Sequence, residues 1–252
     1  MPQASTAGAA PRALRERNRD FYDTLWSRAR LVSPERLNTW PLVRSLLPRC
    51  PQRLEVAPGM RPRLPLHGTQ FLDLSRAALG ALARRGASAV QGEISALPFG
   101  GERFDLVCAL DVVEHVENDR AALSELCRVL KPGGLLLLSV PLHARRWSAF
   151  DDFVGHRRRY EPQLLASLLQ QNSLSVRQSG VFGMQPRSSR LLDYGIWWLT
   201  HHPRTAMRWY NALLPLAVRL QRPLALAPGM IDAHHVDEVI MVCVRTPAAA
   251  AA

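Results

Sequence analysis

A chain of 252 residues with 47% hydrophobic and 21% charged residues can bury one substantial core, and that composition excludes a disordered or fibrous class. The formal net charge is +11 and rests on arginine, since Lys131 is the only lysine. The arginines are scattered, so the charge reads either as coding bias or as attraction to an anionic partner, and it forms no nucleic-acid-binding stripe.

Cys50, Cys108, Cys127 and Cys243 form no CxxC pair, which fits a reducing compartment and does not fit a cysteine-ligated zinc site. Residues 1–10 lack an apolar signal core, and no run is long and apolar enough to span a bilayer. The expectation is a cytoplasmic protein, with peripheral attachment to a membrane left open.

Residues 1–11 are small and polar and are expected to be disordered. Arg12–Leu31 has helical spacing, with Leu14, Phe21, Tyr22, Leu25 and Trp26 near one face. Pro34–Leu47 reads as a second helix, ended by Pro48 and Pro51. Arg53–Ala57 is the first core strand. Too few residues, including Pro62 and Pro65, separate Gly59 from the next strand at Gln70–Leu74 for an ordinary parallel crossover. That crossover should be a loop or a single turn.

Ala77–Arg85 reads as a helix with Gly86 as its C-cap, and Ser88–Gln91 as the third strand. Leu106–Leu110 is a buried strand. Asp119–Leu130 follows with helical spacing, Lys131-Pro132-Gly133-Gly134 should stop the helix, and Leu135–Val140 is the next strand. Together they make a right-handed βαβ unit. Its loop places Asp111, Glu114 and His115 at a strand's carboxyl end, where open α/β sheets bind ligands. Glu161–Gln171 is a helix. Leu174–Phe182 and Glu238–Val244 are the sixth and seventh strands.

The long stretch between those strands carries Ile196-Trp197-Trp198-Leu199, Met207, Trp209, Tyr210, Leu213 and Leu220 among arginines. It reads as two amphipathic helices divided by His201-His202-Pro203 and by Pro215. A basic, Trp-bearing pair of this kind suits membrane-surface contact through residues 194–220, or a lipid-substrate lid. An added packing layer or a dimer interface accounts for the same pattern. His234-His235 lie in a loop before the last strand, and the Ala-rich tail, residues 246–252, is expected to be disordered.

The Phe104-Asp105 strand with Glu114-His115-Val116, paired with Leu130-Lys131-Pro132-Gly133-Gly134 and the next strand, resembles the class I S-adenosylmethionine (SAM)-dependent methyltransferases. Within them it is most similar to the small-molecule and quinone methyltransferases. The resemblance runs from about Leu54 to Leu169, with Glu238–Arg245 as a last strand. It implies an α/β, Rossmann-like, seven-stranded sheet in the order 3-2-1-4-5-7-6, with helices on both faces and a helical insertion before the last strand. The division it implies is N-terminal helices over the cofactor site (12–48), a SAM-binding core (49–183), the insertion (184–236) and the last strand (237–245).

The family's first loop is an acidic residue followed by three alternating glycines. Here Glu55, Ala57, Gly59 and Arg61 occupy those positions, so only the acid and the middle glycine survive. With the first crossover helix lost, Arg61 or Arg63 is expected to take the cofactor's carboxylate. In Phe71-Leu72-Asp73-Leu74-Ser75, Asp73 would accept hydrogen bonds from the ribose hydroxyls, with Leu74 beside it, while Ser75 is better placed to cap the next helix. In Gly92-Glu93-Ile94, Glu93 would meet the adenine amino group and the Ile94 backbone the ring. Leu110 and the Asp111 backbone complete the cofactor set. Tyr22 and Trp26 would either touch SAM or simply pack on the domain.

Asp111, Glu114 and His115 resemble the E-x-x-E-H cluster that some family members use for a divalent metal. Glu114 and His115 also suit local bonding at a helix start. Residues 151–160, DDFVGHRRRY, resemble the family's D-x-x-x-G-H-x-R-R-Y segment. His156 is the candidate general base, with His115 second and Asp152 as its orienting partner. Arg158, Arg159 and Tyr160 either bind an anionic substrate or pin this loop to the body. The resemblance implies methyl transfer from SAM to O or N of a small or lipid-like acceptor. Its alternatives are a SAM-fold scaffold that has lost catalysis and an RNA methyltransferase, although nucleic acid is not an expected partner. An NAD-dependent dehydrogenase is excluded by the missing G-x-G-x-x-G.

Overall fold

The computed structural model describes residues 22–183 and 189–246. The expectations for residues 1–11, for the helix before residue 22 and for the tail after 246 lie outside the described residues.

Eight strands form one sheet in the order β3-β2-β1-β4-β5-β8-β6-β7. They are β1 (Arg53–Val56), β2 (Thr69–Asp73), β3 (Ser88–Gln91), β4 (Phe104–Leu110), β5 (Leu130–Pro141), β6 (Leu174–Val181), β7 (Ala227–Pro228) and β8 (Glu238–Arg245). β1 to β5 are parallel, and β8 runs antiparallel between β5 and β6. The expected order holds for the seven long strands. The two-residue β7 is an addition at the edge, paired with Gln178 and Ser179 of β6.

β4 shows why helices cover both faces. Leu106, Cys108 and Leu110 join a cluster with Val43 and Leu46 of α2 (Trp40–Leu46). Val107 and Ala109 point the other way. They join Leu123 and Leu126 of α4 (Asp119–Val129) and Leu165 and Leu168 of α6 (Pro162–Gln171). α3 (Arg76–Ala83) packs Leu82 against Phe71 of β2, and Ser75 caps it by accepting the Ala78 amide at 3.2 Å.

As expected, no helix forms between β1 and β2. The tetrapeptide Lys131–Gly134 departs from expectation. α4 ends at Val129, and Leu130 is already extended at ψ 141° and paired with Phe104, so the tetrapeptide becomes the bulged start of β5. Gly133 supplies the left-handed φ of +76° at that bulge.

Among the described residues, α1 covers 22–26 and gives way to a turn at 27–28, so it ends before Leu31, where the pattern had run. Pro34–Leu47 is not one helix but a 3₁₀ turn at Pro34–Arg36 followed by α2. A short helix not foreseen, α5 (Ala149–Val154), opens with a capping box between Ser148 and Asp151. The insertion holds α7 (Ser189–His201) and α8 (Pro203–Arg219), divided at His202. Pro215 does not divide it. The proline is exposed, and α8 runs through it with the loss of one backbone hydrogen bond. Among the described residues, no helix is long and apolar enough to cross a membrane.

Candidate active site

The carboxyl ends of β1, β2 and β4 meet in one crevice. At the end of β1 the Glu55 carboxylate turns back onto its own loop, accepting the Arg63 amide at 2.8 and 3.0 Å and the Leu64 amide at 2.8 Å. Burial pushes its pKa up to about 7, against the pull of those amides. Glu55 therefore shapes the loop. Ala57 takes a left-handed φ of 54° where the related loops have glycine, and Gly59 follows at 53°. The Trp26 ring of α1 lies so close to Gly59 that a β-carbon there would sit 2.9 Å from it.

Asp73 ties β2 to the same loop. One carboxylate oxygen accepts the Gly59 amide at 3.0 Å and the other the Ser75 amide at 2.8 Å. Burial raises its pKa to about 6, opposed by the backbone amides around it. Each oxygen keeps a further lone pair for a ligand.

α1 roofs the crevice. Asp23 accepts the Ser75 hydroxyl at 2.6 Å and the Ala77 amide at 3.1 Å, so it shares the N-terminus of α3. The Tyr22 hydroxyl donates to the Val154 carbonyl at 3.1 Å, which joins the roof to α5. Burial raises its pKa, and the charges of Glu114, Asp111 and Asp73 below it add to the effect.

Beyond β4, Asp111 has a left-handed φ of 53° and is exposed. Its amide donates to Ser139 Oγ at 2.9 Å, and the Ser139 hydroxyl donates back to its carboxylate. Glu238, opening β8, is bonded to Asp111; burial and then the Asp111 charge push its carboxyl well above the usual range. Arg63 is half-buried nearby with its guanidinium 5.5 Å from the Phe182 ring centre. Burial, with Arg61 next to it, lowers its pKa, while Asp111 and Glu55 pull the other way.

Glu114, His115 and His156 converge beneath Tyr22. Their nearest ligand atoms all lie within 4.8 Å of one another. His156 Nδ1 sits 2.8 Å from Asp151 Oδ1, and its Nε2 is 3.7 Å from Glu114 Oε1. The His115 and His156 rings meet edge to face at 4.7 Å, and Tyr22 meets His115 at 5.8 Å. Both Glu114 oxygens and His115 Nδ1 are buried without a hydrogen-bond partner among the described residues. Burial, then the Asp111 charge, drives the Glu114 carboxyl well above its ordinary range. Burial and His156 push His115 down to about 3. Asp151 behaves in the opposite way. Burial works against its charge, but hydrogen bonds from His156, Arg159 and Ser148 outweigh burial and hold it well below the usual carboxylate range.

Residues 67–138 match a family model described as a methyltransferase domain. That segment of the chain is therefore similar to a methyltransferase domain. A demethylmenaquinone methyltransferase of Mycobacterium tuberculosis is 38% identical over 85 residues, which are 32% of this chain and 36% of that protein. A ubiquinone biosynthesis O-methyltransferase of a Bradyrhizobium species is 49% identical over 49 residues, 19% of each chain. The chain thus matches about a third or less of the length of these relatives. In fold, it resembles the crystal structure of a SAM-dependent methyltransferase, possible histamine N-methyltransferase, from Thermotoga maritima. The TM-score is 0.57 at 18% identity, over 83% of this chain and 88% of that one.

Asp73 and Gly59 are joined by a hydrogen bond, Ala57 lies in the same loop as Gly59, Leu74 follows Asp73, and Leu110 ends β4 beside β1 with Asp111 after it. Glu93 and Ile94 follow β3, Ile94 buried and Glu93 half-buried and bridged to Ala96. Glu55 is committed to Arg63 and Leu64 rather than turned to a ligand.

The trio read as substrate-binding is committed to the protein. Arg158 donates to the Val116 and Glu117 carbonyls and pairs with Asp119 at 2.8 Å. Arg159 is buried in a two-pronged pair with Asp151 at 2.8 and 3.1 Å, and it reaches Asp237 at 2.9 Å. The Tyr160 hydroxyl donates to Asp119 at 3.0 Å from a site 1% exposed. These side chains pin the loop. The orienting partner of His156 is Asp151; Asp152 accepts from Trp147 Nε1 instead. The convergent donor set is Glu114, His115 and His156, with His156 in the place expected for Asp111.

Three residues were missed. The spacing Ser148-x-x-Asp151 is a capping-box pattern that marks α5 and aims Asp151. Asp23 and Glu238 reach the site only through contacts distant in sequence, and no local signal marks them.

Proposed function

We propose that this domain transfers a methyl group from SAM to an oxygen or nitrogen of a small or lipid-like acceptor. The observation that carries the reading is the Asp151–His156 pair, which engages Nδ1 of the imidazole and sets Nε2 3.7 Å from Glu114, beside the His115 ring. The donor set fits SAM. An acid ends β2 for the ribose diol, Glu93 follows β3 for the adenine amino group, and the neighbouring Arg61 and Arg63 suit a carboxylate. The names of the curated relatives favour a quinone-type acceptor.

Bound SAM supplies a methyl group on a positively charged sulfur, open to in-line displacement by the acceptor. The protein contributes position and dryness. Asp73 orients the ribose end, while Tyr22 and Trp26 exclude water from above. His156 takes the acceptor proton at Nε2, and Asp151 stabilises the resulting imidazolium.

Calorimetry with SAM and S-adenosylhomocysteine tests the reading, followed by assays for S-adenosylhomocysteine release with quinone and lipid extracts. Micromolar binding that is lost in Asp73→Ala, together with turnover, supports methyl transfer. Binding without turnover on any acceptor favours a scaffold instead.

The unpartnered Glu114 oxygens and His115 Nδ1 support a second reading, in which Glu114, His115 and His156 hold a divalent cation. One carboxylate with two imidazoles suits zinc, iron or manganese better than magnesium. Such a cation would supply Lewis acidity at the acceptor, and His156 would serve as a ligand rather than a base. Calorimetric titration with these ions separates the two readings: a heat of binding abolished by Glu114→Gln supports the cation, and its absence in the wild type removes it.

A further inference from the structure

α8 presents three rows along its length. Met207, Tyr210, Leu214 and Val218 face inward. They pack against Trp26, Met60, Val32 and Leu37, and so join α8 to the roof of the crevice. Asn211 reinforces that junction, donating to the Arg28 carbonyl at 2.7 Å and accepting the Arg30 amide at 2.9 Å. The second row, Trp209, Leu213, Leu216 and Leu220, has helical spacing of four, three and four residues. It is apolar yet 53%, 53%, 55% and 73% exposed. The third row, beside it, holds Arg204, Arg208 and Arg219, all exposed.

α7 adds an exposed aromatic ladder. Tyr194 and Trp197 stack at 6.1 Å with 63% and 48% exposure, and Trp197 stacks on His201 at 4.8 Å. From Tyr194 to Ile231 the sequence contains no aspartate or glutamate, while it contains Arg204, Arg208, Arg219 and Arg222. None of the four forms an ion pair among the described residues.

We infer that the α7–α8 pair docks on the surface of an anionic phospholipid bilayer. Rows of Trp and Leu beside a row of Arg are the pattern by which a helix lies in the headgroup layer, apolar side chains sunk and guanidiniums on the phosphates. Trp and Tyr favour that boundary because one end of each ring is apolar and the other wet. The charge selects the occupant. A second copy would bring four arginines against four with only Asp193 of each α7 to answer them, whereas an anionic surface neutralises them. The inference deepens the acceptor reading by setting the bilayer next to the roof, but it does not depend on methyl transfer.

The test is co-sedimentation of the full chain with vesicles of phosphatidylcholine, with and without phosphatidylglycerol, at low and high salt. The expected result is binding to the anionic vesicles that weakens with salt and is lost without phosphatidylglycerol. Arg204→Glu with Arg208→Glu should weaken it by about thirtyfold or more. Leu213→Glu with Leu216→Glu should abolish it while leaving the thermal midpoint and SAM affinity unchanged, since all four positions face solvent. Wild-type protein left in the supernatant at low salt would overturn the inference. So would binding equally tight to neutral vesicles, or Leu213/Leu216 substitutions that split an oligomer without altering vesicle binding. If methyl transfer failed while vesicle binding held, only the catalytic reading would fall.

Discussion

Asp151 stands 2.8 Å from Nδ1 of His156 and at the same time closes a two-pronged pair with Arg159. One buried carboxylate thus orients the candidate base and anchors the loop that carries it. The two duties separate by mutation. His156→Gln keeps the Asp151–Arg159 pair, so the fold and SAM affinity should persist, with turnover lower by about a hundredfold or more. Steady-state assays beside calorimetry check this. Unchanged turnover would remove His156 from proton transfer.

Arg159→Met provides the converse. It leaves Asp151 buried with two of its five side-chain hydrogen bonds gone, and with them its cationic partner, at a cost of about 3–5 kcal/mol in stability. A thermal or urea melt measures that loss. If Arg159 instead held an anionic acceptor, the melt would barely move and the acceptor KM would rise.

Gly59 and Trp26 make a testable pair. Gly59→Ala should destabilise by about 1–2 kcal/mol from the φ of +53° alone, plus the push of its methyl on the Trp26 ring. Gly59→Ala in a Trp26→Leu background should show only the backbone part. At Ala57, where φ is 54°, Ala57→Gly should be neutral or stabilising by up to about 1 kcal/mol. Melting curves of the four variants decide.

Glu55 gives a pH dependence with a definite sign. Its pKa rises from 4.5 to about 7 on folding. The folded state therefore keeps a proton that the unfolded chain has released between those values, and this group's contribution to stability falls as pH rises through that window, by roughly 3 kcal/mol in all. Glu55→Gln cannot ionise. It should be less stable by about 1–3 kcal/mol, because its amide NH₂ faces backbone donors, and its stability should fall less steeply across the window. Equal slopes for the two proteins would contradict the assignment.

Much of this fold is legible in local chemistry. The shortened link after β1 follows from residue count and its prolines, and the seven long strands follow from short apolar runs between turn signals. Ser75 as cap and Asp73 as crevice acid follow from their places at a strand end. What local pattern does not carry is the direction of a polar side chain within a dense loop. Arg158, Arg159 and Tyr160 have the residue types of an anion site, yet each finds a carboxylate partner within the protein, in Asp119, Asp151 or Asp237. Lys131–Gly134 carries breaker chemistry, but pairing of Leu130 with Phe104 draws it into a strand. Glu238 reads only as the start of a strand until β8 is placed beside β5.

That placement bears on how the chain folds as it is made. β8 follows every other strand in sequence yet lies between β5 and β6, with Val239, Ile240 and Met241 fully buried. Until residues 238–245 leave the ribosome, β5 has an open edge and β6 and β7 have no connection to the parallel half of the sheet. The nascent chain therefore exposes the β5 edge once residue 141 is made, and the β6 edge once residue 181 is made, until residues 238–245 emerge. Final closure waits on a single eight-residue strand threading between them.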